Sequence, residues 1–132
     1  MLEQNPFNHE ADLIHRTEKF IKCWFKQTLS PDLSDFFILP GNKVVERKLI
    51  VSRLKGVFGA SDEYIGGRYD IIDSGFNLMD NGKGIGFVEG VAGFRAMLNK
   101  QYKIVSGPFK LYFALQEGHW KIVNIEFPGF SY

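Results

Sequence analysis

Apolar positions recur with a helical period from His9 to Leu29. Leu13, Phe20, Ile21, Trp24 and Thr28 fall on one face, widened by Ile14 and Phe25. His15, Lys19, Lys22 and Lys26 mark the opposite, solvated face. Asn8 is placed to cap the start, and Ser30-Pro31 to end the helix. Asp32 to Phe37 reads as one or two helical turns, Phe36 to Leu39 as a short strand, and Pro40-Gly41 as a turn. A second helix is expected from Lys43 to Phe58, capped by Asn42 and stopped by Gly59. Its buried stripe is Ile50, Leu54, Val57 and Phe58.

After Ala60 the period changes to two. Four strands are expected: Tyr64 to Met79, Gly84 to Leu98, Gln101 to Gln116 and His119 to Phe127. Asn81-Gly82 is a strong hairpin signal, Glu117-Gly118 and Asn99-Lys100 weaker ones. Two-residue loops at all three would pair Asp80 with Lys83, Phe76 with Phe87 and Asp70 with Gly93. They would also pair Glu89 with Lys110, Leu115 with Trp120 and Leu111 with Asn124. Parity then sorts the side chains onto two faces. The more apolar one carries Tyr69, Ile71, Asp73, Asn77, Met79, Val88, Ala92 and Phe94. It continues with Phe109, Leu111, Phe113, Leu115, Trp120, Ile122, Asn124 and Glu126, and is assigned to the interior. The outer face carries Phe76, Phe87, Glu89, Arg95, Ile104, Lys110, Tyr112, Val123 and Ile125. Bulges are expected at Gly75 or Gly107-Pro108, because several of the 14 glycines interrupt the strands.

Two helices followed by an antiparallel meander define an α+β fold, with the N-terminal helices packed on one side of a strongly curved antiparallel sheet. A length of 132 residues leaves room for one domain, 1–132. The 45% hydrophobic content suffices for a core, and 13 Phe predict one rich in rings. Sixteen Lys+Arg against 15 Asp+Glu argue against a dedicated nucleic-acid or anionic-membrane binder. No stretch approaches the ~20 apolar residues of a membrane span, and Met1 to Glu10 lacks the pattern of a signal peptide. Cys23 is the single cysteine, which excludes an internal disulfide and suits a reducing compartment. A cytoplasmic protein is the expectation.

The order of elements resembles the nuclear transport factor 2-like superfamily, which includes SnoaL-like cyclases and ketosteroid isomerases. The similar features are the long first helix with Trp24, the Pro40-Gly41 turn before the Val44–Phe58 helix, and the closing hairpin FALQEGHWKIVNIEF, Phe113 to Phe127. The resemblance implies a cone-shaped, cystatin-like α+β barrel enclosing a pocket, commonly as a homodimer. It implies no single activity, and no isomerase Tyr and Asp constellation is matched.

The candidate chemistry lies on the face assigned to the interior. Asp73 and Glu126, brought to one apolar cavity from different strands, would form a minimal acid/base pair. Tyr69, Asn77 and Asn124 would supply hydrogen bonds, and Phe94, Phe109, Phe113, Trp120 and Trp24 the apolar lining. The corresponding function is binding of a small apolar ligand, with cofactor-independent isomerase, cyclase or dehydratase chemistry. The ordinary alternative places Asp73 and Glu126 in water. The competing function is a non-enzymatic dimeric binding or assembly module, working through the face with Arg95, Tyr112 and Val123.

Other features argue for less. Arg68, Asp70 and Arg95 read as an anion site or a cross-strand ion-pair cluster. His9, His15 and His119 read as solvent-exposed, and Cys23 as an inert, half-buried thiol. GKGIGFVEG, Gly82 to Gly90, lacks the helix and the Ser/Thr of a phosphate loop. No metal, nucleotide or other cofactor is expected. The expected partners are a second copy of the chain, as a homodimer through the outer sheet face, and a small apolar ligand.

Overall fold

The computed structural model describes residues 7–132. Helix α1 spans His9–Phe25, and the Asn8 side chain accepts from the Ala11 N–H at 3.0 Å. Leu13, Thr17, Phe20, Ile21 and Trp24 are buried, whereas His15, Lys19, Lys22 and Lys26 are exposed. The helix ends four residues earlier than the pattern suggested. Gln27 takes φ 56°, and the Thr28 N–H donates back to Cys23 O at 2.9 Å. Pro31 and Asp32 form a turn, and Leu33 bridges to the sheet rather than continuing a helix. Ser34 N–H donates to Ile122 O at 2.9 Å and Ile122 N–H to Asp32 O at 2.8 Å, a parallel bridge between Leu33 and Ile122.

Strand β1 (Phe36–Leu39) pairs antiparallel with β2 (Lys43–Glu46). The sequence pattern had assigned Lys43–Glu46 to the second helix. A turn with Gly41 at φ 81° and Asn42 at φ 60° folds the chain back, and the β-branched Val44 and Val45 suit the strand. Asn42 therefore caps nothing helical. Helix α2 runs Arg47–Gly59 behind Glu46, which makes no side-chain cap bond. Its buried residues are Ile50, Leu54 and Phe58.

Four long strands complete the fold: β3 (Glu63–Leu78), β4 (Gly84–Leu98), β5 (Gln101–Gln116) and β6 (His119–Glu126), in the order β3-β4-β5-β6. The β4–β5 register is the expected one along its whole length, Glu89 opposite Lys110 and Leu98 opposite Gln101. No shift occurs there at Gly107-Pro108.

The β3–β4 register differs. The Met79 N–H donates to Lys83 O at 2.8 Å, so the loop is the three residues Asp80 to Gly82, with Gly82 at φ 77°. One extra loop residue shifts every pair by one, and Phe76 faces Gly86 instead of Phe87. Asp73 and Asn77 thereby move to the outer face, and Phe76 to the inner one. A bulge between Ile71 and Asp73 restores the parity, so Tyr69 and Ile71 point inward as expected. On β6 a shift between Tyr112 and Phe113 of β5 inserts Val123. It sets Asn124 opposite Tyr112 and Ile125 opposite Leu111. Asn124 and Glu126 turn outward, while Ile125 enters the core at 1% exposure. The core joins Leu13, Ile21 and Trp24 of α1 and Ile50 and Leu54 of α2 to Val88, Phe109, Leu111, Phe113, Trp120 and Ile122 of the sheet.

Candidate functional site

The concave side of the sheet is filled by its own rings. Phe127 lies 4.5 Å from Trp24, 5.7 Å from Phe20 and 5.9 Å from Phe109, centroid to centroid. Phe58 packs at 5.0 Å from Trp24, and Tyr64 at 4.4 Å from Phe94. The lining proposed from sequence is therefore interior at Trp24, Phe94, Phe109, Phe113 and Trp120. These side chains occupy the space that a ligand inside the cone would need.

Polar groups on this side are few. The Tyr69 hydroxyl donates to Glu18 Oε2 at 2.9 Å, fastening β3 to α1. Burial raises the pKa of this phenol, and the Glu18 carboxylate raises it further. Burial also raises that of Tyr64. Trp120 Nε1 donates to His9 Nδ1 at 3.1 Å. The Trp24 indole nitrogen is buried without a partner among the described residues.

Asp73 and Glu126 do not meet there. Both are exposed on the outer side, and they belong to β3 and β6, the two ends of the strand order. The Asp73 carboxylate accepts from the Ser74 N–H at 2.9 Å. Asn77 is exposed, and Asn124 donates through Nδ2 to Ile38 O. The three-residue loop and the Val123 bulge, one residue each, account for all four displacements.

The outer face of β3–β5 carries exposed apolar side chains among charged ones. Ile72 and Ile104 are 66% and 67% exposed, and Ile85, Val91 and Tyr102 are also exposed. Phe87 closes over Gly75, whose position would admit no Cβ without meeting Phe87 Cε1 at 2.7 Å. Lys110 crosses the middle of the face. Its ammonium lies 4.0 Å from Glu89, 4.7 Å from the Phe87 ring and 5.1 Å from the Tyr112 ring. Of the outer-face residues expected from sequence, Phe87, Ile104 and Tyr112 are there. Phe76 lies on the inner side, Ile125 in the core, and Val123 is buried at its bulge.

Beside this face is a groove of about 880 Å³. Ile38 to Asn42 form one wall, Tyr112 and Val123 to Phe127 the floor, and Pro128 to Tyr132 the other wall. The Ile125 N–H donates to the Tyr132 hydroxyl. Burial pushes the Tyr132 phenol up to about 12. Three of the sequence candidates, Phe113, Asn124 and Glu126, border this groove.

Arg68, Asp70 and Arg95 share the outer face but make no ion pair with one another. Arg95 instead stacks 5.8 Å from the Tyr102 ring centre. His15 and His119 are exposed as expected, and Cys23 is half-buried. His9 is not solvent-exposed. It packs 4.9 Å from Phe7, 5.3 Å from Phe76 and 5.7 Å from Trp120. Gly82 to Gly90 is a loop end followed by a strand, which removes any phosphate-loop context. The pattern gave no sign of the ion pair between Arg16 Nη1 and the buried Asp32 Oδ1, 2.7 Å apart. Only the spacing of Asp12 and Arg16, a 2.9 Å pair one turn apart, was legible. Among the described residues, no group of three or more His, Cys, Asp or Glu is arranged to hold a metal ion. None of their helices is long and apolar enough to cross a membrane.

No family model matches the chain, and no curated protein matches it. Among solved structures, the association domain of C. elegans CaMKII superposes with a TM-score of 0.55 at 8% sequence identity. The match covers 88% of this chain and 92% of that one. A structure described as a calcium/calmodulin dependent protein kinase II association domain from Xanthomonas campestris matches at a TM-score of 0.42 and 18% identity, over 88% of this chain and 76% of that one. That second likeness is too loose to add to the first. At such identities the likeness carries architecture alone: the chain has the cone-shaped α+β fold of the nuclear transport factor 2-like kind, shared with that association domain.

Proposed function

We propose that this chain is a self-association module working through the outer face of β3–β5. The observation that carries this reading is the apolar row Ile72, Val91, Ile85, Ile104 and Tyr102, exposed on a sheet face that no helix covers. Large apolar side chains left exposed in this number mark an interaction site. A two-fold stack of two such faces buries like against like, as an isologous dimer requires. The fold shared with a domain named for association supports the same direction.

Ligand binding inside the cone has less support, because Trp24, Phe58, Phe109 and Phe127 fill that space. Acid/base chemistry by Asp73 and Glu126 has less support for a different reason, since the fold holds them at opposite ends of the strand order. Sedimentation equilibrium at micromolar concentration tests the proposal. The expected result is a species of twice the 15.1 kDa chain mass or a higher multiple. A chain that stays monomeric at ~100 μM, beyond the range of a specific interface, overturns it.

A further inference from the structure

After β6 the chain turns at Pro128 and Gly129. Gly129 takes φ 88°, and the Phe130 N–H donates to Phe127 O at 3.0 Å. Phe130 and Tyr132 then stack edge to face, their ring centres 5.0 Å apart. The Ile125 N–H donates to the Tyr132 hydroxyl and holds this tail against β6. On the opposite wall, the Ile38 carbonyl accepts from Asn124 Nδ2.

Between these walls lies the groove of about 880 Å³, within the roughly 300–1,000 Å³ of small-molecule sites. Its lining contains no Lys, Arg or His, and its one charged side chain is Glu126. That carboxylate is exposed and makes no ion pair among the described residues. Lys110, opposite Glu126 in the register, holds its ammonium at Glu89 and the rings of Phe87 and Tyr112. With its amide nitrogen on Ile38, Asn124 keeps its oxygen, an acceptor, for another partner. Tyr112, Phe130 and Tyr132 are half-buried and add ring surface. Rings, a carboxylate and a spare acceptor complement a donor-only cation and disfavour an anion.

We propose that this groove binds a small organic cation, an ammonium group carried on a flat apolar body. The ammonium pairs with Glu126 and donates to the Asn124 oxygen, and the body lies against Tyr112, Phe130 and Tyr132. No strand has to be displaced, and the bonds of Asn124 to Ile38 and of Ile125 to Tyr132 stay in place. Ile104, in the row assigned to self-association, does not line the groove. Binding here and assembly through β3–β5 can therefore fail separately.

The probe is (2-naphthyl)methylamine, protonated at neutral pH, titrated into the isotope-labelled full chain and followed by amide NMR. Expected are saturable binding and shifts gathered at Ile38, Leu39, Val123 to Phe127 and Phe130 to Tyr132. (2-Naphthyl)methanol has the same shape without the charge and should bind about tenfold more weakly. Glu126→Gln should lower the affinity for the amine about fivefold and leave that for the alcohol unchanged. Ile104→Lys should bind the amine as the unsubstituted chain does. No binding at ~5 mM amine, weaker than specific recognition, overturns the proposal. So do equal affinities for amine and alcohol, an undiminished affinity in Glu126→Gln, or shifts confined to Ile72, Val91 and Ile104. Equal losses for amine and alcohol in Glu126→Gln would mean that Glu126 only shapes the groove, and overturn it too. A chain that binds the amine but stays monomeric overturns the self-association reading alone.

Discussion

Trp120 donates its indole N–H to Nδ1 of His9 at 3.1 Å, tying the last strand to the first turn of α1 across 111 positions. The Phe76 ring packs against both, 5.3 Å from His9 and 6.4 Å from Trp120. A buried indole is usually paired with an acceptor, and for Trp120 a histidine at the start of a helix supplies it.

His9→Phe retains an aromatic ring at that place and removes the acceptor. The stranded indole N–H should cost about 1–3 kcal/mol, the usual penalty for an unpaired buried donor. Trp120→Phe in the same background should cost less than Trp120→Phe alone. Urea unfolding of the two single variants and the double variant gives the coupling. A coupling of zero would mean that the bond contributes nothing to stability.

Ile104→Lys and Val91→Lys place charge on the outer face while leaving the core untouched. Each should change the stability of the isolated chain by no more than about 0.5 kcal/mol, as for other exposed positions. Each should also reduce the sedimenting mass to that of one chain. Folded variants that keep the higher mass would assign assembly to another surface.

Two glycines should respond in opposite directions. A Cβ at Gly90 would collide with the Asp70 carbonyl oxygen and lie 2.9 Å from Phe109 Cε2. Gly90→Ala should therefore destabilise by about 2–3 kcal/mol, through overpacking against backbone. At Gly56, inside α2, a Cβ meets nothing within 4 Å. Gly56→Ala should stabilise by about 0.5–1 kcal/mol, because alanine loses less backbone freedom in a helix. Thermal unfolding of the two variants side by side makes the comparison.

Alkaline pH should weaken the fold. Burial raises the Tyr132 phenol to about 12 from its ordinary 10.0. The unfolded chain releases that proton at lower pH than the folded one. The contribution is complete below pH 10 and is lost as pH rises towards 12. Tyr64 and Tyr69, also raised, act in the same direction. Stability followed by urea denaturation should decline across that window, and Tyr132→Phe should decline less steeply. A flat profile in the unsubstituted chain would refute the linkage.

Periodicity made much of this fold legible. The buried face of α1 follows from apolar residues at helical spacing, and the four long strands follow from alternation between turn signals. The β4–β5 register follows from the Asn99-Lys100 turn alone, because no bulge intervenes over its length. The opposition of Leu115 and Trp120 across Glu117-Gly118 has the same origin. Local signals suffice where the chain is regular.

Faces were lost wherever one residue was added. Asp73 and Asn77 went outward with the extra residue in the Asp80–Gly82 loop, and Asn124 and Glu126 with the Val123 bulge. Strand side chains alternate with period two, so one inserted residue reverses every position beyond it until another reverses it back. Lys43–Glu46 became a strand because its partner, Phe36–Leu39, was near enough to pair, against a helical pattern in its own sequence. The His9 acceptor, the Arg16–Asp32 ion pair and the groove between β1 and β6 join residues distant along the chain, and no local pattern encodes such meetings. Composition and period set which surfaces seek burial. The bulges and chain crossings set which side chains arrive there, because their positions depend on how the curved sheet closes around its core.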